Sequence, residues 1–383
     1  RPDDMSQPEV GEAFMPLLLS ASAEFDIVDT MPDDTAVILY TSGTTGSPKG
    51  AELTHFNMFF NALLVRDYLG KISPGEVGLV VLPLFHSFGQ TCMQNATILS
   101  GCTMSMLPRF DSNKALEIIG RDKVTYMAGV PTMFQFMLNA AEDGNYDLES
   151  LRLAFSGGSA LPVEVLNRFE NKFGIRILEG YGLSETSPVA SFNVLDRPSR
   201  PGSIGVPVWG VDMRLMREDG SFASTGEVGE IVIRGHNLMK GYYKKPAASA
   251  EAVVNGWLHT GDLATMDEDG YFFIVDRKKD LIIRGGMNIY PREIEEVLYT
   301  HPDIQEAAVI GIPDELRGEE VKACVSLRKD ADVTVDALRA FCSEHLAKYK
   351  VPKQIEILPD LPKGPTGKIL KRELRQAARS VVG

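Results

Sequence analysis

The sequence predicts an α/β protein. A large N-terminal part is built on mostly parallel, helix-covered sheets, a small antiparallel β part closes it, and a small α+β part follows. Three observations carry this reading. Up to about residue 200, short apolar runs of strand length alternate with stretches of helical spacing. From Pro201-Gly202-Ser203-Ile204-Gly205-Val206-Pro207 the texture becomes turn-rich. Beyond the charged run Asp276-Arg277-Lys278-Lys279-Asp280, helix-like and strand-like segments fill one further compact unit.

Taken in order, residues 36–40 (Ala-Val-Ile-Leu-Tyr) read as a buried strand. Residues 41–50 follow as a loop, and Thr54-His55-Phe56-Asn57 opens an apolar stretch with helical spacing, so the loop is expected to join a strand to a helix. Residues 77–82 are a strand, 93–99 and 115–119 are helical, 124–128 and 151–155 are strands, and 162–173 is a helix. In such an alternation ligands sit beyond the carboxyl ends of the strands. The loops 41–50, 129–132, 156–160 and 180–186 can therefore converge there. Residues 213–216, 230–234 and 271–275 read as antiparallel strands. Pro291 near a first helical position, with acids close behind, starts a helix over 291–298. Strands at 307–312 and 320–327, a helix near 335–347 and a mobile loop at 364–368 complete the reading.

The totals narrow the function classes. With 383 residues the chain can bury a large core, and 44% apolar and 24% charged residues are ordinary for a globular protein. A net charge of −13 argues against a nucleic-acid partner. The four cysteines, Cys92, Cys102, Cys324 and Cys342, show no zinc or redox spacing and read as buried apolar residues in a reducing compartment. No run approaches the roughly 18 apolar residues of a membrane span.

The chemistry-bearing loop is Thr41-Ser42-Gly43-Thr44-Thr45-Gly46-Ser47-Pro48-Lys49-Gly50. Glycines let backbone N–H groups turn inward, hydroxyls donate further hydrogen bonds and Lys49 adds charge, so the run is suited to phosphate. It is not a Walker A loop, which needs Gly-Lys-Ser/Thr five residues after its first Gly. Alone, it reads equally as a surface loop. Seven more segments change that: 82–89 (Leu-Pro-Leu-Phe-His-Ser-Phe-Gly), 156–161 (Ser-Gly-Gly-Ser-Ala-Leu), 180–186 (Gly-Tyr-Gly-Leu-Ser-Glu-Thr), 226–231 (Gly-Glu-Val-Gly-Glu-Ile), Thr260-Gly261-Asp262, 276–280 and 362–368 (Pro-Lys-Gly-Pro-Thr-Gly-Lys). In this order they resemble the adenylate-forming superfamily of acyl-CoA synthetases, peptide-synthetase adenylation domains and luciferases, most closely its fatty-acyl-CoA ligases.

The resemblance implies a two-step reaction using ATP, Mg²⁺ and coenzyme A. A carboxylate attacks the α-phosphate, and a thiol then displaces AMP. Thr41, Ser42, Gly43, Thr44, Thr45, Gly46 and Lys49 would hold the β- and γ-phosphates, and Glu185 the metal. Tyr181 would lie against adenine, with Gly158, Ser159 and Ala160 on its other side and Gly182 and Thr186 nearby. Asp262 would accept from the ribose hydroxyls, and Arg277 would reach the nucleotide. Lys368 would contact both the acid and the α-phosphate. Thr41, Glu185 and Lys368 are thus the implied catalytic residues. Lys279 matches a hinge between residues 1–278, with a β-rich part at about 203–278, and a mobile lid, 279–383. After rotation, Gly285 and Gly286 would line the coenzyme A tunnel. The acyl pocket would comprise His86, Phe88, Gly129, Val130, Gly157, Ser187 and Val189.

Phe85-His86-Ser87-Phe88 offers no acid to pair an α-amine, so an amino-acid substrate is not expected. The expected substrate is a medium- or long-chain fatty acid. An aryl-CoA (coumarate-type) ligase, an acyl-AMP ligase loading a carrier protein, and a binding-only fragment stay open. Only 40 residues precede the phosphate loop, where the family has a substantial α/β stretch, so an N-terminal portion is expected to be missing. The expected location is cytoplasmic, with peripheral contact at the inner membrane face and the oligomeric state left open.

Overall fold

The computed structural model describes residues 11–41, 48–142, 144–364 and 367–380. Its centre is a seven-stranded sheet in the order Thr103–Met106, Val77–Val80, Tyr126–Gly129, Leu153–Ser156, Arg176–Gly182, Val189–Phe192, Val206–Pro207. The first five strands run parallel and the last two antiparallel. Tyr126–Gly129 and Leu153–Ser156 are buried along their whole length. Covered on both faces, they read as unbroken small and apolar runs rather than alternations. Ser112–Asp122, Pro131–Ala140 and Val163–Phe173 are among the covering helices. Asp111 caps the first by accepting from Lys114 N at 2.9 Å, and Gly174 ends the third at φ 69°.

The phosphate-loop segment differs from the expectation of a strand–loop–helix unit. Thr35–Thr41 pairs antiparallel with Lys49–Thr54, Thr41 opposite Lys49, so the loop joins two strands of a hairpin. The helix His55–Leu64 begins only after the second strand, where Thr54 and Asn57 exchange side-chain and backbone hydrogen bonds in a capping box. Lys-Gly-Ala-Glu-Leu-Thr has no apolar run to announce a strand. Its other edge is instead covered by Gly241–Tyr242, from much later in the chain. Gly50 permits the close approach: a Cβ there would sit 2.7 Å from Ile38 Cγ2.

A second sheet of five strands contains Val211–Met216, Gly229–Gly235 and Trp257–Met266, with Val253–Val254 and Phe272–Arg277 paired to the last. In this sheet sequence reasoning missed Trp257–Met266, because Thr260-Gly261-Asp262 has the composition of a turn, and the two-residue Val253–Val254.

The C-terminal part has its own sheet, Met287–Ile289, Ile282–Arg284, Gly318–Leu327, Ile304–Asp314, with Gln354–Ile357 added parallel. Ile282, Ile294, Leu298, Val309, Val321 and Leu338 form a buried cluster separate from the main one. Helix Lys371–Ser380 was not anticipated. Its sequence is highly charged: Leu374 and Ala378, four apart, pack against Ala308, Ile310, Cys324 and Leu361, while Lys371 and Arg375 pair with Glu295 and Asp280. All four cysteines are unpaired, and Cys102 alone is not fully buried. Among the described residues no helix is long and apolar enough to cross a membrane.

Candidate active site

A cavity of about 610 Å³ opens where the carboxyl ends of the central strands meet the hairpin, the second sheet and residue Lys368 of the C-terminal part. Its wall carries five cations (Lys49, Arg277, Lys278, Lys279, Lys368) and four carboxylates (Glu185, Glu230, Glu251, Asp262). A chain that is acidic overall thus gathers positive charge at one place, as an anionic ligand requires.

Asp262 organises the middle of this wall. It sits opposite Arg277 in the strand register, and Arg277 Nε lies 3.0 Å from Asp262 Oδ1. The Tyr181 hydroxyl donates to Asp262 Oδ2 at 2.6 Å. Burial and the adjoining Asp262 charge hold the Tyr181 phenol well above its usual pKa, so it stays a donor. Burial works against the Arg277 cation, yet Asp262 keeps its pKa above the ordinary value. Tyr181 and Asp262 were expected to serve different parts of a nucleotide. Here the hydrogen bond between them fixes the ring and the carboxylate relative to each other. Glu230, one strand over, accepts from Gly261 N at 2.9 Å and lies 3.6 Å from Lys278 Nζ, pinning the Thr-Gly-Asp segment.

Lys368 reaches the same cavity from the C-terminal loop. Gly367 brings it in: Gly367 adopts φ +81°, its carbonyl accepts from Thr132 Oγ1 at 3.2 Å, and a Cβ there would stand 3.1 Å from Val130 Cγ2. Burial, then the Arg277 charge, brings the Lys368 ammonium down to about 8, with Asp262 opposing. His86 is close by. Its Nδ1 accepts from Phe88 N at 3.3 Å, which leaves the proton of the neutral ring on Nε2. Burial and the Lys368 charge lower its pKa, favouring that neutral form.

On the hairpin side, the Tyr242 hydroxyl donates to Glu185 Oε1 at 2.7 Å, and Lys49 Nζ lies 5.1 Å from the centre of the Tyr242 ring. No group of three or more candidate metal ligands occurs among the described residues. Mg²⁺ does not need one, because it commonly takes one or two carboxylates together with phosphate oxygens and water. Glu185, on the cavity wall with one oxygen engaged, fits that role.

Of the residues expected at the site, the cavity wall includes Thr41, Lys49, His86, Phe88, Val130, Gly157, Gly158, Tyr181, Gly182, Glu185, Val189, Asp262, Arg277, Lys279 and Lys368. Ser42, Gly43, Thr44, Thr45 and Gly46 lie outside the described residues. Gly129, Ser159, Ala160, Thr186 and Ser187 are adjacent in sequence but not on the wall. The Ser187 hydroxyl donates to Asn237 O at 2.8 Å, and the Thr186 hydroxyl is taken up by Leu183 and Pro188, so both brace the loop from behind. Gly285 and Gly286 form the exposed turn between Ile282–Arg284 and Met287–Ile289, away from the cavity. Sequence reasoning missed Tyr242, Glu230 and Thr260 as wall residues. Glu230 and Thr260 stood inside quoted motifs, whereas Tyr242 belongs to a two-residue strand too short to show a pattern.

A cavity bearing five cations, set between the strand ends of the central sheet and a lysine carried on a C-terminal loop, is suited to an anionic ligand. Residues 4–243 match the model of the AMP-binding enzyme family and residues 293–368 that of the AMP-binding enzyme C-terminal domain. The chain belongs to this family, the adenylate-forming superfamily. It is similar to the long-chain-fatty-acid–CoA ligase of Bacillus subtilis, 47% identical over 89% of this chain and 61% of that protein. It is also similar to the feruloyl-CoA synthase of an Amycolatopsis species, 41% identical over 94% of this chain and 74% of that one. Among solved structures, ATP-bound MatB from Rhodopseudomonas palustris matches with a TM-score of 0.89 at 35% identity, covering 95% of this chain and 72% of that one. The chain spans 61% and 64% of the length of the long-chain-fatty-acid–CoA ligases of Bacillus subtilis and Salmonella typhimurium that it resembles.

Proposed function

We propose that this chain carries the chemistry of an ATP-dependent acid–thiol ligase that makes acyl-CoA from a medium- or long-chain fatty acid. The carrying observation is Lys368, delivered by the C-terminal loop into the cavity that holds Asp262, Arg277, Tyr181 and Glu185. In the first half-reaction a carboxylate oxygen attacks the α-phosphorus, the bond to the β-phosphate oxygen breaks, and pyrophosphate leaves. Both reactants are anions, so positioning and charge neutralisation govern the rate. Lys368 supplies an ammonium between them. Asp262 accepts from the ribose, Arg277 orients that carboxylate, and Tyr181 offers its ring to the base. Lys49 and the hairpin loop 41–50 hold the distal phosphates. Neutral His86, with its proton on Nε2, can donate to the acid without adding charge. Glu185 would hold Mg²⁺, which neutralises phosphate charge when bound.

In the second half-reaction the thiol sulfur of coenzyme A attacks the acyl carbonyl, the C–O bond to AMP breaks, and the thiol proton is released. Lys279 would be the hinge between residues 1–278 and a lid, 279–383. Rotation there would withdraw Lys368 and bring Gly285 and Gly286 to the thiol path. The apolar wall formed by Leu82, Phe88, Val130, Val189 and Phe192 supports an apolar acid. The likeness to a feruloyl-CoA synthase favours an aryl acid as the second reading. Pyrophosphate release over a panel of aliphatic, aryl and amino acids, with and without coenzyme A, tests both. Fatty acids should give the highest rate, and an aryl optimum would move the assignment to the second reading. A cytoplasmic location is part of this proposal, and recovery in the membrane pellet on cell fractionation would move it to the membrane face.

A further inference from the structure

We infer that Tyr242 is a positioning residue that sets the metal-side carboxylate and the phosphate-side cation of the nucleotide site through one side chain. The inference rests on the ligase reading for its ligand, MgATP. Three observations carry it.

The Tyr242 hydroxyl donates to Glu185 Oε1 at 2.7 Å, which stops the carboxylate from rotating and reserves Oε2 for another partner. The face of the same ring carries Lys49 Nζ at 5.1 Å from its centre, a cation–π contact that aims the ammonium along the cavity wall. The backbone of Tyr242 is itself held at several points. It pairs opposite Ala51 on the hairpin strand Lys49–Thr54, Tyr242 N donates to Ser249 Oγ at 2.8 Å, and Tyr243 N donates to Gly50 O at 2.8 Å. Met239 N, three residues earlier, donates to Glu185 O at 2.9 Å, so the segment grips Glu185 by main chain and side chain.

The two contacts of Tyr242 use different atoms and can be separated. Tyr242→Phe keeps the ring and removes the hydroxyl, whereas Tyr242→Leu removes both. ATP affinity is measured by calorimetry on the whole chain, with and without Mg²⁺. In Tyr242→Phe the gain in affinity that Mg²⁺ confers should fall about tenfold, the scale of one hydrogen bond to a charged group, while metal-free ATP affinity stays within about twofold. In Tyr242→Leu metal-free affinity should fall as well. An unchanged Mg²⁺ gain in Tyr242→Phe, or equal loss with and without metal, overturns the proposal. A parent chain with no Mg²⁺ gain overturns it too. A parent chain that gains affinity from Mg²⁺ yet releases no pyrophosphate with any acid overturns the ligase reading and leaves the role of Tyr242 standing.

Discussion

Glu179→Gln should stabilise the protein in a pH-dependent way. Glu179 is buried on the strand Arg176–Gly182, next to Gly180 and Tyr181 of the nucleotide site. Its Oε1 accepts from Leu161 N at 2.9 Å, while Oε2 has no hydrogen-bond partner among the described residues. Burial above all raises its pKa from 4.5 to about 7. Arg292 on the helix Pro291–Tyr299 opposes the rise, and Glu296 on the same helix adds to it. The native state therefore holds the proton more tightly than the unfolded chain. The associated stability is fully present below about pH 4.5 and is lost as pH rises through about 7. A displacement of this size corresponds to about 3 kcal/mol at its limit. Glutamine keeps the acceptor for Leu161 N and never ionises. Urea unfolding followed by fluorescence from pH 4.5 to 8.5 should show the variant matching the parent at the acid end and exceeding it by up to about 3 kcal/mol at the alkaline end. Other buried acids with raised pKa, such as Asp276 and Glu306, titrate alike in both proteins and cancel. A difference that does not vary with pH, or a parent that is the more stable at pH 8.5, would refute the reasoning.

Lys368→Ala should lower pyrophosphate release by about 10³-fold, from about 4 kcal/mol for one charge pair at ~4 Å and an effective dielectric near 20. The same variant should keep thioester formation from supplied acyl-adenylate, and equal loss of both halves would remove the assigned role. Because the Lys368 ammonium lies at about 8 and must be cationic to act, the pH profile of the free enzyme should fall above about pH 8. Lys279→Pro should stall one half-reaction only, and unchanged rates in both would count against the hinge. Gly182→Ala would drive a Cβ into the carbonyl oxygen of Pro188, so it should destabilise by about 3 kcal/mol or more in urea unfolding; a near-neutral result would show that the 180–188 loop yields.

The inner parallel strands Val77–Val80, Tyr126–Gly129 and Leu153–Ser156 were legible in the sequence because they lie largely buried between helix layers and are apolar, whereas the edge strand Thr103–Met106, exposed at both ends, was not. Nor was the hairpin strand Lys49–Thr54. Its strand character comes from partners on both sides, one of them Gly241–Tyr242 far along the chain, and not from its own pattern. Trp257–Met266 was hidden for a related reason: Gly261 at φ 73° and the polar Thr260 and Asp262 interrupt an otherwise apolar strand where it faces the cavity. Helix Lys371–Ser380 packs just two apolar side chains, Leu374 and Ala378, into the neighbouring cluster, too few for a periodic signal, and its ion pairs to Glu295 and Asp280 leave no pattern in the sequence. At the candidate site, the order of the eight segments pointed to individual residues, but pairings between them stayed invisible. The Tyr181–Asp262 bond, the approach of Lys368 to His86 and the grip of Tyr242 on Glu185 each join positions that only the fold brings together.

Everything proposed about catalysis turns on whether this cavity converts ATP and a free acid into an acyl-adenylate. Incubation of the chain with labelled ATP, Mg²⁺ and a fatty acid, without coenzyme A, followed by chromatography of the nucleotides, tests it most directly. The account predicts acid-dependent pyrophosphate and an enzyme-held acyl-AMP that coenzyme A discharges to thioester and AMP. ATP recovered intact with every acid, from protein that binds ATP, would contradict it.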